Sequence, residues 1–168
     1  MSDRDLLVLV DVGNTNTVFG LYRRDQLVES FRLSTDSERT SDEYGALLLP
    51  LLGRLGLDPT TAEAVVISSV VPPLNATLDR LSRRFFDCEP LFVGPGVKTG
   101  MPIRSDNPAE VGADRIVNAL AAREQYGSPA IVVDFGTATT FDVVNAQGEY
   151  VGGIIAPGLL ISAEALFA

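Results

Sequence analysis

The stretch DVGNTNTVFG, residues 11–20, follows the apolar run LLVLV of residues 6–10. It sets Asp11 two residues ahead of Gly13, turns through amides and hydroxyls, and enters a second apolar run. That order reads as a strand, a tight polar turn and a returning strand. A glycine in such a turn lets backbone N–H groups approach a phosphate, and Asn and Thr side chains add donors. A carboxylate beside the turn would repel the phosphate unless a cation, typically hydrated Mg²⁺, stood between them.

The pattern occurs twice. Shifting the chain by 123 positions (134 − 11) lays Asp11 on Asp134, Gly13 on Gly136 and Thr17 on Thr140. DVGNTNTVFGLY then overlies DFGTATTFDVVN without a gap. One D-x-G pair is common by chance, but two in the same strand-turn-strand setting point to an internal duplication. Two such turns facing one another across a domain cleft would grip the β- and γ-phosphates of a nucleotide.

Between the repeats the chain alternates strand and helix signals. Residues 17–22 and 27–33 read as strands joined by Arg23-Arg24-Asp25-Gln26. Thr40 and Glu43 have capping-box spacing ahead of Tyr44, Leu47, Leu48, Leu51, Leu52 and Leu55, with Pro50 expected to kink or divide that helix. Residues 64–71 read as a buried parallel strand. Pro72-Pro73 opens a helix with the stripe Leu74, Leu78, Leu81 and Phe85, and 91–93 is a short strand. Residues 94–105 read as a loop. Asn107-Pro108-Ala109-Glu110 reads as the start of a helix ending at Gly127-Ser128-Pro129. Strands are expected over 130–135, 139–144 and 149–155. The resulting order is βββαβαβα followed by three further strands, a mixed α/β architecture.

Composition narrows the chemistry. The 168 residues carry 22 acids against 13 bases, a formal charge of −9, which disfavours a nucleic-acid partner. Histidine is absent, which removes Ser-His-Asp, Cys-His and His-metal sites. The single Cys88 cannot form an intramolecular disulfide, and its sequence neighbours include no base to activate it. No apolar run approaches a membrane span and no secretory signal opens the chain, so no membrane partner and a cytoplasmic location are expected. GPGVKTG, residues 94–100, fails as a Walker loop because Val97 stands where glycine must precede the lysine. Gly112-Ala113-Asp114-Arg115 places an acid and a base side by side on a helix, pointing different ways. One could face a reacting hydroxyl while the other holds an anionic group on the same small molecule. A surface ion pair is the competing reading.

DVGNTNTVFG, NPAEVGADR, DFGTATTFD and GGIIAPG stand in the order found in type III pantothenate kinases, and the chain resembles that family over essentially its whole length. The resemblance implies a ribonuclease-H-like, actin-like ATPase fold, with a first domain over 1–115 and a linking helix and unfinished second domain over 116–168. It implies transfer of the ATP γ-phosphate to the primary hydroxyl of pantothenate, a homodimer, Mg²⁺, and a monovalent cation, K⁺ or NH₄⁺. Carried over by motif, Asp11, Val12, Gly13, Asn14, Thr15, Asn16, Thr17 and Val18 would hold the ATP phosphates, with Asp11 reaching Mg²⁺ through water. Thr137 would also touch ATP, and Asp134 would bind the monovalent cation. Asp114 would be the general base, with Gly112, Ala113, Asp114 and Arg115 lining the pantothenate site. Many members have Tyr where this chain has Ser105. Only 39 residues (168 − 129) follow Pro129, so the second domain is expected to be incomplete. The alternative expectation is a non-catalytic fragment of the nucleotide fold serving as an interaction module.

Overall fold

The computed structural model describes residues 4–94 and 96–167; Pro95, within the loop expected over 94–105, and Ala168 lie outside them. The chain divides into two compact units between Val93 and Gly94.

The first unit is a five-stranded sheet of order β3-β2-β1-β4-β5. Strands β1 (Leu6–Val12), β2 (Asn16–Arg23) and β3 (Gln26–Ser34) form an antiparallel meander. Strands β4 (Ala62–Ser69) and β5 (Pro90–Val93) add in parallel, through crossovers that contain α1 (Ser41–Arg54) and α2 (Pro72–Phe85). One face of the meander carries Val8, Val10, Val12, Thr17, Phe19 and Leu21, all buried. Those apolar side chains form one core with Tyr44, Leu48 and Leu52 of α1 and Leu74, Leu78 and Leu81 of α2. The Thr40 capping box is present: the Glu43 N–H donates to Thr40 Oγ1 at 3.3 Å and the Thr40 N–H to Glu43 Oε2 at 2.8 Å. Pro50 does not divide α1, which runs unbroken past it. Proline removes one backbone bond, and the burial of Leu48 and Leu52 on either side of it offsets that loss.

The second unit holds a 3₁₀ turn at Pro108–Glu110, α3 (Ala113–Tyr126), a meander of β6 (Ala130–Phe135), β7 (Ala138–Val144) and β8 (Tyr150–Pro157), and α4 (Leu159–Phe167). The helix expected to start directly after Asn107 starts instead at Ala113. Val111 and Gly112 are extended, with ψ of 120° and 144°, and they interrupt the path. The domain boundary expected after residue 115 therefore falls inside α3, whose Ile116 and Ala119 pack with Val144, Tyr150 and Met101 in this unit's own core.

Both meanders share the βββα order, as a duplication requires, but their first hairpins differ in register. Asp11 pairs with Val18, whereas Asp134 pairs with Thr140. The second turn is one residue shorter, so Thr17 corresponds to Thr139 and the ungapped overlay of Thr17 on Thr140 is wrong. The burial of the two threonines agrees: Thr17 is 0% and Thr139 7% exposed. The shift has a further effect. Successive strand residues face opposite sides, so Asp142 shares a face with Asp134, and that face is the one α3 covers. The opposite face, equivalent to the one α1 and α2 cover in the first unit, shows Ile131, Val133, Phe135, Phe141 and Ile154 to solvent.

Candidate active site

In the first turn, Asp11, Asn14, Thr15 and Asn16 are exposed, Gly13 and Val18 are half-buried, and Val12 and Thr17 are buried. The Gly13 N–H donates to the Asn16 carbonyl at 2.9 Å, so that donor closes the turn from within. Thr35, just beyond β3, holds the turn from outside. Its Oγ1 donates to the Gly13 carbonyl at 2.7 Å and its N–H to the Thr15 carbonyl at 2.9 Å. The Thr17 hydroxyl lies 2.9 Å from Thr35 Oγ1, and it must be the donor because the only hydroxyl proton of Thr35 is already committed to Gly13. Sequence reading does not single out Thr35; a Thr directly after the third strand of such a meander is the only signal available.

In the second turn, Asp134, Gly136 and Thr137 are exposed. Asn118 of α3 donates through Nδ2 to Asp134 Oδ2 at 3.3 Å. Gly158 presses on this turn: its N–H donates to the Thr137 carbonyl at 3.2 Å, and a Cβ there would fall 2.2 Å from that oxygen. Among the described residues no group of three or more Asp, Glu, Cys or His side chains gathers around a metal position. Asp11 and Asp134 each offer hard carboxylate oxygens outside any such cluster. Their chemistry fits a cation held mainly by phosphate and water, not a closed protein cage.

Gly112 caps α3 and leaves Asp114 and Arg115 in its first turn. Asp114 Oδ1 accepts from the Arg115 N–H at 2.8 Å. The two side chains diverge, as their adjacency on a helix requires. Arg115 reaches β7, where its Nε donates to Asp142 Oδ1 at 2.7 Å. Asp142 is fully buried and receives two more donors, Tyr150 Oη on Oδ1 at 2.7 Å and Thr140 Oγ1 on Oδ2 at 3.3 Å. Burial, then the neighbouring Asp142 carboxylate, pushes the Tyr150 phenol well above its usual range. Sequence reading misses both Asp142 and Tyr150. An acid in the strand run TTFDVV is the one available hint, since its arginine partner lies 27 residues away.

Arg115 opens onto a cavity of ≈ 540 Å³ whose lining includes Ser105, Glu110, Val111, Tyr150 and Gly152. Ser105 Oγ is buried there without a hydrogen-bond partner. A larger cavity of ≈ 620 Å³ lies under the loop from Gly94 to Ile103 and contains none of the expected site residues. Asp11 to Val18 belong to the first unit, and Gly112 to Arg115, Asp134 and Thr137 to the second.

The family described as type III pantothenate kinase matches residues 7–168. The chain is 60% identical to the type III pantothenate kinase of Geobacter sulfurreducens over 162 residues, covering 96% of this chain and 64% of that protein. It is 57% identical to that of Myxococcus xanthus, covering 96% and 63%. The chain therefore spans a little under two thirds of the length of these curated relatives. Among solved structures it is similar to the Aquifex aeolicus Ppx/GppA phosphatase (type II variant), with a TM-score of 0.54 at 13% identity over 95% of this chain and 55% of that one. The likeness fits the actin-like ATPase fold that the family resemblance implies. With matched motifs in order and more than half of all positions identical over 162 residues, the chain belongs to the type III pantothenate kinase family.

Proposed function

We propose that this chain carries the substrate-side chemistry of a kinase that transfers the ATP γ-phosphate to the primary hydroxyl of pantothenate, giving 4′-phosphopantothenate. The observation that carries this reading is the divergence of Asp114 and Arg115 from one helix turn, with Arg115 lining a cavity. Arg115 pairs with the pantothenate carboxylate, and Asp114 takes the proton from the hydroxyl as its oxygen attacks the γ-phosphorus. The bond to the β,γ-bridging oxygen breaks and ADP leaves. Phosphoryl transfer asks for in-line positioning and charge neutralisation, which needs no histidine.

The turn from Asp11 to Val18, with Thr137, is assigned to the ATP phosphates. Asp11 would hold Mg²⁺ through water and Asp134 a monovalent cation, K⁺ or NH₄⁺; bound cations would neutralise phosphate charge. A homodimer acting in the cytoplasm completes the reading. Among the described residues no helix is long and apolar enough to cross a membrane.

The test is ADP release by the purified chain with pantothenate, ATP, Mg²⁺ and K⁺, beside Asp114→Asn. Potassium-dependent release abolished by the substitution supports the assignment. Equal release by both folded proteins refutes the role of Asp114, and none from either leaves the chain a non-catalytic member of the family.

A further inference from the structure

Among the described residues Arg115 is the only cation lining the ≈ 540 Å³ cavity, whose walls also hold Asp106 and Glu110. An arginine on a helix end would ordinarily sweep several rotamers, and an anionic ligand would have to order it on binding. Here the guanidinium is fixed from behind. Its Nε donates to Asp142, which lies outside the cavity lining and is 0% exposed. Nη2 sits 2.7 Å from the same oxygen as an ion-pair contact, yet it is buried with no aligned hydrogen-bond acceptor. Tyr150 and Thr140 occupy other lone pairs of Asp142, so the carboxylate is locked as well.

The strand beside it is shaped to this arrangement. Gly153 pairs with Asp142 across β7 and β8, and a Cβ at Gly153 would stand 2.0 Å from the Phe141 carbonyl oxygen, 2.4 Å from Arg115 Nη2 and 2.9 Å from Asp142 Oδ1. Only glycine leaves room there, both for the neighbouring Phe141 carbonyl and for the guanidinium. Ser105, whose Oγ is also buried and unpartnered, is another residue of the cavity lining. Arg115 and Ser105 both line the same cavity, and each carries a buried polar atom without an aligned partner, which is costly to leave unmade.

We propose that Asp142 is a positioning residue. It holds Arg115 by Nε, so that the remaining guanidinium donors are presented, already ordered, to the carboxylate of the substrate, with Tyr150 steadying Asp142 and Gly153 giving the clearance. This rests on the reading of Arg115 as the carboxylate-binding residue. The competing view is an ion pair that only stabilises α3 on the sheet.

The two are separated by calorimetric titration of the full chain, with no ATP turnover required. The ligands are pantothenate and the same molecule with its carboxylate reduced to an alcohol. Wild type binds pantothenate more tightly than the alcohol. Asp142→Asn weakens pantothenate binding about tenfold or more, the scale of one charge-assisted hydrogen bond, and leaves the alcohol's affinity as it was. Tyr150→Phe, a smaller change that keeps the buried ring, moves pantothenate alone by roughly threefold and decides the matter if Asp142→Asn does not fold. Variants that match wild type, or that lose both ligands equally, overturn the positioning role while leaving the kinase reading in place. A wild type that does not distinguish the two ligands overturns the assignment of Arg115, and this inference with it.

Discussion

Thr17, near the start of β2, and Thr35, just past the end of β3, are joined hydroxyl to hydroxyl at 2.9 Å, and Thr35 passes its own proton to the Gly13 carbonyl at 2.7 Å. The relay fixes the turn that follows Asp11 from beneath, leaving the exposed Asn14, Thr15 and Asn16 on the outer side.

Thr35→Val should therefore cost about 1–2 kcal/mol, because it strands the Gly13 carbonyl and the Thr17 hydroxyl together. A double-mutant cycle with Thr17→Val, read by urea unfolding, should give strong coupling. Additive losses would mean that the relay is not a unit. ATP affinity should fall more in Thr35→Val than stability alone explains.

Two glycines of α1 should respond to alanine with opposite signs. Gly53 is exposed, and a methyl group added there would meet nothing within 4 Å, so Gly53→Ala should stabilise by about 0.5–1 kcal/mol. A Cβ at Gly45 would fall 2.6 Å from the Phe85 ring where α1 meets α2. Gly45→Ala should lose about 1–3 kcal/mol despite the same gain in helix propensity. Thermal melts of the two variants check this directly.

Stability should decline at both ends of the pH scale. Thr40 backbone and side-chain hydrogen bonds hold the Glu43 carboxyl below its usual range; Thr60 does the same for Asp58, and Asn145 followed by Arg104 for Glu149. A depressed folded-state value means the unfolded chain binds protons first. This stability is present above the ordinary carboxylate range near pH 4 and is lost as pH falls through the folded values. Tyr150 has the opposite sign: raised by burial and by Asp142, it contributes fully below about pH 10 and loses that contribution as pH rises further. Thr40→Ala should flatten the acid limb, and Tyr150→Phe the alkaline one.

The uncovered face of β6, β7 and β8 should bind a hydrophobic dye. Ile131 and Phe135 are each 68% exposed and Ile154 67%, beside Val133 and Phe141. An apolar patch of this kind marks an interaction surface or an aggregation site. Ile131→Lys with Ile154→Glu should reduce dye fluorescence and concentration-dependent association without lowering the melting temperature, since neither side chain is packed. Unchanged association would place the sticky surface elsewhere.

Local signals were the legible ones. The Thr40–Glu43 box, the burial of Leu74, Leu78 and Leu81, and the stop at Gly127 all depend on neighbours within a turn or two, and each stands where the sequence placed it. The start of α3 was misplaced because Asn107-Pro108-Ala109-Glu110 satisfies the rules of a helix start for three residues, and only Val111 and Gly112, in extended backbone, withdraw the invitation. The motif residues can be picked out of the sequence, but the residues that support them cannot. Thr35 reaches back 22 residues to Gly13, and Asp142 answers an arginine on another element. Neither has a local signature. The register was hidden by repetition: Thr137-Ala138-Thr139-Thr140 offers a threonine to either overlay, so the eye accepts the one without a gap.

That missing residue limits what can be exchanged between the two turns. Grafting DVGNTNT in place of the seven residues 134–140 would bring its own pairing, the aspartate opposite the residue seven positions on, and β7 would slide by one. With a side-chain period of two, the slide turns Asp142 to the wrong side of the sheet and leaves Arg115 without its anchor. A seven-for-six replacement, taking out 134–139, keeps Asp134 across from Thr140 and every later residue in place. The two halves of this chain share a pattern, then, but not a common unit of recombination: a cassette cut at equal lengths would carry the D-x-G turn across and break the packing behind it.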